Sequence, residues 1–106
     1  MNIATIQQSL QETDDPRPYP FRSAAEIVVT ITEELGEVVT EVSLLERIGT
    51  KAGWSKEPST DRLAEELLHL LNMIFVLANR YSIDLDQAYS AYLRQTAYAS
   101  QQDSIP

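Results

Sequence analysis

The chain has 106 residues, of which 43% are hydrophobic and 23% are charged, as expected of one soluble globular domain. Its net charge of −8 argues against nucleic acid as a partner, because duplex phosphates would be repelled. The absence of cysteine excludes disulfides, thiolate catalysis and cysteine-ligated zinc. The first residues show no secretory pattern, and the longest apolar run is shorter than the ~20 residues that span a bilayer. We therefore predict a cytoplasmic protein without a membrane partner.

The first two predicted elements are a short helix and a long one, separated by prolines. The short helix covers roughly residues 2–13 and ends where the proline-rich segment 14–20 begins. The long helix starts at Ser23, because Glu26 follows three residues later and completes a capping box. It is expected to run to about Ile48.

The third and fourth predicted helices follow after a loop. The third begins near Ser59 or Thr60 and runs to about Tyr81. The fourth begins at Asp84, which forms a second capping-box-like pair with Gln87. With three glycines and no alternating β-branched segments, the sequence gives little support to strands.

These elements predict an all-α fold in a four-helix up-down arrangement with two long antiparallel helices. Residues 1–106 form a single domain in this prediction. It contains an N-terminal helix and loop over 1–22, core helices over 23–99 and a loose tail over 100–106.

The third helix is apolar on two sides, which predicts two packing partners. Leu68 and Phe75 lie nearly opposite the main apolar stripe. The stripe consists of Leu63, Leu67, Leu70, Ile74, Leu77, Ala78 and Tyr81. We predict that a second copy of the chain covers the other side, giving a homodimer or homotetramer. Coverage by the two short helices is the alternative.

Carboxylates recur inside the apolar arc of the second helix. At 100° per residue, Glu34 falls about 20° from Ile27, with Glu37 and Glu41 flanking it on the same side. Glu33 lies about 120° from Ile27 and reaches solvent. Glu34 is therefore expected to be at least partly buried.

The third helix repeats this pattern with Glu66 and His69 beside its apolar stripe. Antiparallel packing can bring Glu66 and His69 opposite Glu34 and Glu37. Clustered carboxylates repel one another and lose hydration unless a cation compensates them, and oxygen ligands in that number suit Mg²⁺ or Mn²⁺. The alternative is that these glutamates are ordinary solvated helix residues and that His69 is a hydrogen-bonded core or interface residue.

The combined motifs resemble a known family. "EELGEVVTE" at 33–41, followed by "RLAEELLHLLNMIFVLANRYSIDLDQAY" at 62–89, is similar to the MazG-like branch of the all-α nucleoside triphosphate pyrophosphohydrolases. That family is marked by Glu-Glu-x-x-Glu on one helix, Glu-x-x-Asp on the next and an "IDL" turn before the last helix. The resemblance covers about residues 23–92, which is most of the chain.

The resemblance implies a function and its residues. It implies that Glu34, Glu37 and Glu66 coordinate Mg²⁺, which bridges the triphosphate and orients the water that attacks the α–β linkage. A nearby free carboxylate, Glu33 or Glu41, would accept the proton of the water. The products would be a nucleoside monophosphate and pyrophosphate. The resemblance also makes two aromatic residues candidates for base stacking, with core capping as the alternative: Tyr19 and Phe21.

The chain departs from the family pattern at two places. His69 replaces the aspartate, which removes a charge and favours Mn²⁺ or other transition metals over Mg²⁺. Tyr92 occupies the position of a phosphate-binding lysine, so Arg94 is the cation left in that helix. The candidate replacements for phosphate binding near the loop are Lys51, Lys56 and Arg62.

Two other functions remain open from the sequence. The first is a non-catalytic relative that binds nucleotides or acts as an interaction module, which the two departures favour. The second, more remote, is a di-iron helical bundle, because "ELLH" at 66–69 has the Glu-x-x-His spacing of such sites.

Overall fold

The computed structural model describes residues 1–11, 23–49 and 55–103, with the backbone alone described from residue 98 onward. These ranges contain four α-helices and no strand, so the all-α prediction is confirmed for them. The helices are α1 (Ile3–Ser9), α2 (Ala24–Glu46), α3 (Thr60–Arg80) and α4 (Leu85–Asp103).

Side-chain caps fix the starts of the three longer helices where the sequence predicted them. Each cap oxygen accepts a hydrogen bond of 3.1 to 3.3 Å from the backbone N–H three residues later, which satisfies a donor of the first turn. The capping residues are Ser23, Ser59 and Asp84. The helix ends were less predictable, since α1 stops at Ser9 and α4 continues through 100–103, part of the expected loose tail.

The α2–α3 pair forms an antiparallel hairpin and the main helix–helix interface of the chain. Ile27 near the start of α2 belongs to one buried cluster with Met73 and Val76 from the C-terminal half of α3. At the opposite end of the hairpin, Glu41 bonds Arg62 in the first turn of α3. The start of α2 thus contacts the end of α3, and the end of α2 contacts the start of α3, so the two helices are antiparallel as predicted.

The α3 stripe expected to form the core is only partly buried. Ala78 is buried and Leu77 packs against the core cluster, but three of the seven residues are exposed: Leu67, Ile74 and Tyr81. Met73 and Val76, outside the stripe, are the α3 residues buried in that cluster. Helical periodicity identifies which residues share a face, but it does not decide which face the neighbouring helix takes. Because α2 packs on the side that carries Glu66 and His69, much of the main apolar stripe faces outward.

Within the described ranges, the other two helices do not complete a four-helix bundle around this hairpin. α1 packs across both α3 and α4, while α4 packs mainly against α1. None of the helices in the described ranges has both the length and the apolar character needed to cross a membrane.

Candidate metal centre

Three potential ligands from the two arms of the hairpin converge at one point. Glu34, Glu66 and His69 each offer a ligand atom, and these atoms lie within 4.8 Å of one another. The Nδ1 atom of His69 is 3.6 Å from Oε2 of Glu66 and 3.8 Å from Oε2 of Glu34. The carboxylates therefore approach the imidazole closely enough to share one small ion.

Local helix geometry explains this convergence. Glu66 and His69 are three residues apart on α3, so their side chains lie on the same face about one turn apart. Glu34 projects from α2 toward the same space, because the hairpin core orients that side of the helix inward. Glu34 and Glu66 are half-buried, whereas 55% of the His69 side chain is exposed. The cluster is therefore partly shielded and still open to ligands on the His69 side.

The donor set suits a divalent cation. Two carboxylates and a neutral imidazole carry a formal charge of −2, which a divalent ion balances. The imidazole nitrogen is a softer donor than a carboxylate oxygen, so the set favours Mn²⁺ or another transition metal over Mg²⁺. Three protein ligands leave coordination positions for water or for a substrate oxygen.

Two other predicted catalytic glutamates lie beside this group rather than in it. Glu37 is exposed one turn beyond Glu34, and its carboxylate is not part of the three-residue cluster. Glu33 precedes Glu34 and is exposed as well. Both remain close in sequence to a cluster ligand, which allows contact with a bound ion through water.

The carboxylate of Glu41 is engaged in an ion pair. Its side chain is only 5% exposed, and Nε of Arg62 donates to its two oxygens at 2.9 and 3.3 Å. Nζ of Lys56 lies 4.0 Å from the same carboxylate. Arg62 also donates to the backbone carbonyl of Glu57, just before α3. The sequence predicted Glu41 as a proton acceptor and Arg62 as a phosphate ligand. In the structure the two side chains instead neutralise each other beside the cluster.

Of the remaining candidate substrate residues, the structure describes only Arg94. Arg94 is exposed on α4, a helix that packs mainly against α1 rather than against the hairpin. Three further candidates lie outside the residues that the structure describes: Tyr19, Phe21 and Lys51.

A partly buried amide cluster around the buried Gln7 is the feature that sequence reasoning missed. The side-chain Nε2 of Gln7 donates to Oδ1 of Asn79 at 2.9 Å and to the Ile83 carbonyl at 2.6 Å. Its Oε1 accepts from the Leu85 N–H at 3.1 Å, and Nδ2 of Asn79 donates to the Gln7 carbonyl at 3.0 Å. In the sequence, the available signal for this cluster was the position of Gln7 beside the apolar residue Ile6 of the first helix.

A cavity of about 330 Å³ lies beside this amide cluster and not at the acidic site. Its lining combines one face of α1 with the turn between α3 and α4, and it is mainly polar apart from Ile83 and Ala4. Since the hydrogen bonds of Gln7 and Asn79 are made within the protein, we read the amide cluster as a structural clamp.

Comparison of the chain with protein-family models, with curated proteins and with solved structures found no match.

Proposed function

We propose that this protein is a divalent-metal-dependent nucleoside triphosphate pyrophosphohydrolase that converts (d)NTP to (d)NMP and pyrophosphate. The observation that carries the proposal is the convergence of Glu34, Glu66 and His69 within 4.8 Å. The motif resemblance to MazG-like enzymes supplies the reaction class, and a chain with that ancestry would carry its metal ligands on these two helices.

Charge explains why a metal is required for such a substrate. The chain has a net charge of −8 and would repel a triphosphate. When bound, a divalent cation neutralises phosphate charge and activates a coordinated water. The cluster is the place in the described part of the chain where His and acidic side chains from different helices meet in this way.

The residues of the cluster and its neighbours divide into two roles in this proposal. Glu34, Glu66 and His69 hold the cation. Glu33 is the candidate that accepts the proton of the attacking water, since Glu41 is engaged by Arg62 and Lys56. The water oxygen joins the nucleoside monophosphate, the bond to the bridging oxygen breaks, and pyrophosphate leaves.

Glu37 and the substrate residues complete the proposal. Glu37 would act from the edge of the cluster, as a ligand after side-chain rotation or through a bound water. With Arg62 committed to Glu41 and Arg94 on a helix that packs mainly against α1, phosphate binding would rest on Lys51, and base stacking on Tyr19 and Phe21. A cytoplasmic location and a homo-oligomeric state, dimer or tetramer, belong to the same proposal.

The test is pyrophosphate release from a panel of ribo- and deoxyribonucleoside triphosphates, each with Mg²⁺ and with Mn²⁺. We expect release to exceed background, to be higher with Mn²⁺, and to fall at least about a hundredfold in Glu34→Gln and Glu66→Gln. The matched control is Glu46→Gln, which changes an exposed glutamate of α2 outside the cluster. Equal rates in all four proteins would refute the enzymatic assignment.

A non-catalytic nucleotide-binding or interaction module is the second candidate. The observation that favours it is the Glu41–Arg62 pair, which removes one of the few cations near the cluster from phosphate binding. Nucleotide binding in the presence of Mn²⁺, measured by calorimetry without pyrophosphate release, would identify this function.

A di-iron centre is the remaining alternative. Glu66 and His69 have the required spacing and join Glu34, but one chain supplies half of the ligands that such a centre uses. Iron below stoichiometric amounts in protein purified from iron-supplemented cells would exclude it.

A further inference from the structure

The cavity of about 330 Å³ between α1 and the α3–α4 turn has the size of a small-ligand pocket. It is separate from the acidic cluster. Asn79, which contributes to its lining, follows His69 by ten residues, or about 15 Å along the axis of α3. We call this cavity the turn cleft.

The amide clamp, formed by Gln7 and Asn79, makes one wall of the turn cleft rigid. Gln7 is 7% exposed, and its side chain donates to Oδ1 of Asn79 at 2.9 Å and to the Ile83 carbonyl at 2.6 Å. Its Oε1 accepts from the Leu85 N–H, and the Ile83 N–H bonds the Ala78 carbonyl at 2.9 Å. The turn and the start of α4 are thus held in place without a ligand, which lowers the ordering cost of binding.

Other polar groups of the lining are left for a ligand. The side-chain amides of Gln8 and Gln11 and the hydroxyl of Ser82 make no hydrogen bond to other residues in the described part of the chain. Oδ1 of Asp84 accepts from the Gln87 N–H at 3.1 Å, which leaves Oδ2 of the same carboxylate. The turn cleft therefore offers a carboxylate oxygen and several neutral acceptors.

The charge of the turn cleft favours a cation over an anion. Asp84 is the one charged residue among the described residues that line it, and the whole chain carries −8. The N-terminus of a helix attracts anions through unbonded N–H groups, but three of the first four in α4 are already bonded. Their acceptors are Gln7 for the Leu85 N–H, and Asp84 for the N–H groups of Gln87 and Ala88.

The α1 side of the turn cleft is an elongated row. Four residues lie on one side of α1 at spacings of three, one and three, in a row about 10 Å long: Ala4, Gln7, Gln8 and Gln11. Gln11 follows the end of α1, and its N–H continues the helical turn by bonding the Gln8 carbonyl at 3.4 Å. Apolar atoms of Ala4 and Ile83 lie among the polar groups. An aliphatic chain with N–H donors at its ends matches this lining.

We propose that the turn cleft binds a short aliphatic organic cation that carries amine or guanidine N–H donors. One cationic end pairs with the carboxylate of Asp84, and the other end donates to the amide oxygens of Gln8 and Gln11. The aliphatic segment lies against Ile83 and Ala4. The site depends neither on the metal centre nor on pyrophosphohydrolase activity.

The first test is an NMR titration of the wild-type chain with putrescine, a linear diamine, at low ionic strength. We expect saturable shifts of the Gln8 and Gln11 side-chain amide signals, with a dissociation constant at or below about 1 mM. Agmatine carries a guanidinium in place of one amine, so its affinity relative to putrescine shows which donor type is preferred. Butanediol and succinate have the same chain length with neutral and anionic ends, and we expect neither to bind. The absence of saturable shifts with both cations overturns the proposal, and so does succinate binding as tight as that of putrescine.

The second test compares two aspartates at the start of α4. Asp84→Asn removes the charge and keeps the helix cap, because asparagine caps helices about as well as aspartate. We expect it to raise the dissociation constant for putrescine at least about tenfold. Asp86→Asn removes an exposed carboxylate outside the lining and should change the constant by less than about twofold. Equal weakening by the two variants would indicate attraction to net charge alone and would overturn the proposal.

Two further variants test whether the cation occupies this cleft. Gln8→Glu adds a second carboxylate to the lining and should tighten putrescine binding about threefold. Glu34→Gln removes a charge from the acidic cluster and should leave putrescine binding unchanged. Helix content from circular dichroism verifies that each variant is folded. Weaker binding by Glu34→Gln would place the cation at the acidic cluster and overturn the proposal, as would an unchanged affinity in Gln8→Glu.

Discussion

The Nε atom of Arg62 lies 2.9 Å from Oε1 of Glu41, and the carboxylate of this pair is 5% exposed. The pair joins α2 to the first turn of α3, one helical turn before Glu66. It therefore fixes how the two helices are aligned along their length. Because Glu34 and Glu66 meet only in that alignment, the ion pair positions the residues of the candidate metal centre.

The variant Arg62→Met tests the ion pair. It keeps the aliphatic bulk but leaves the buried Glu41 without its closest cation, and we expect a loss of about 2 kcal/mol in the free energy of unfolding. The value is below that of a fully buried pair because 34% of the Arg62 side chain is exposed. Urea denaturation measures the loss. The double variant Glu41→Met/Arg62→Met should recover most of it, and failure to recover would show that Arg62 stabilises the chain by another route.

Substitution of His69 tests whether this residue makes the candidate metal centre prefer Mn²⁺ over Mg²⁺. His69→Asp adds a third carboxylate to Glu34 and Glu66, and we expect the affinity for Mg²⁺ to rise about tenfold because a hard, charged ligand replaces a soft, neutral one. Isothermal titration calorimetry with Mg²⁺ and Mn²⁺ measures the change. His69→Asn has nearly the same shape without the charge and should not raise the affinity. Equal Mg²⁺ binding by both variants would argue against His69 as a ligand.

The amide clamp is tested at Gln7. Gln7→Leu removes the three side-chain bonds to Asn79, Ile83 and Leu85 but keeps the bond from Asn79 to the Gln7 backbone carbonyl. We expect a loss of about 2 kcal/mol because partly buried polar groups are left without partners. Amide exchange should show faster exchange of the Leu85 N–H. Gln8→Leu alters the exposed neighbour on the same helix and is the control. Similar exchange in both variants would mean that the clamp does not hold α4.

Arg47 offers a stabilising change. It caps the C-terminus of α2 with φ of 56°, in the left-handed region that favours glycine. Arg47→Gly should therefore raise the unfolding free energy by about 0.5–1 kcal/mol, measurable as a higher thermal midpoint. Arg47→Ala retains a Cβ atom and is expected to show no such gain. A lower midpoint for the glycine variant would indicate that the Arg47 side chain itself contributes.

Local signals predicted the elements well. A side-chain cap marks the start of each longer helix, and it involves only residues three positions apart in the sequence. All three caps are present in the structure, at Ser23, Ser59 and Asp84. The end of α1 at Ser9 had no comparable signal, because no glycine or proline marks that position. Capping chemistry is local and readable from the sequence.

Contacts between helices were harder to predict. The phase of Glu34 and Glu66 within their helices indicated that the two would face one another, and the structure brings them together. The same reasoning could not show that Arg62 would pair with Glu41, because that contact depends on the axial alignment of two helices. Nor could it show which side of α3 would meet α2, since that helix has apolar residues on more than one side.

The ligands of the acidic cluster come from opposite arms of one hairpin. A cation held by Glu34, Glu66 and His69 together would act as a cross-link that exists only while the arms are paired. Because such an ion would bind the paired state and not the separated helices, raising its free concentration would shift the opening equilibrium of the hairpin toward the closed state. The lifetime of the closed hairpin would then follow the supply of metal around it.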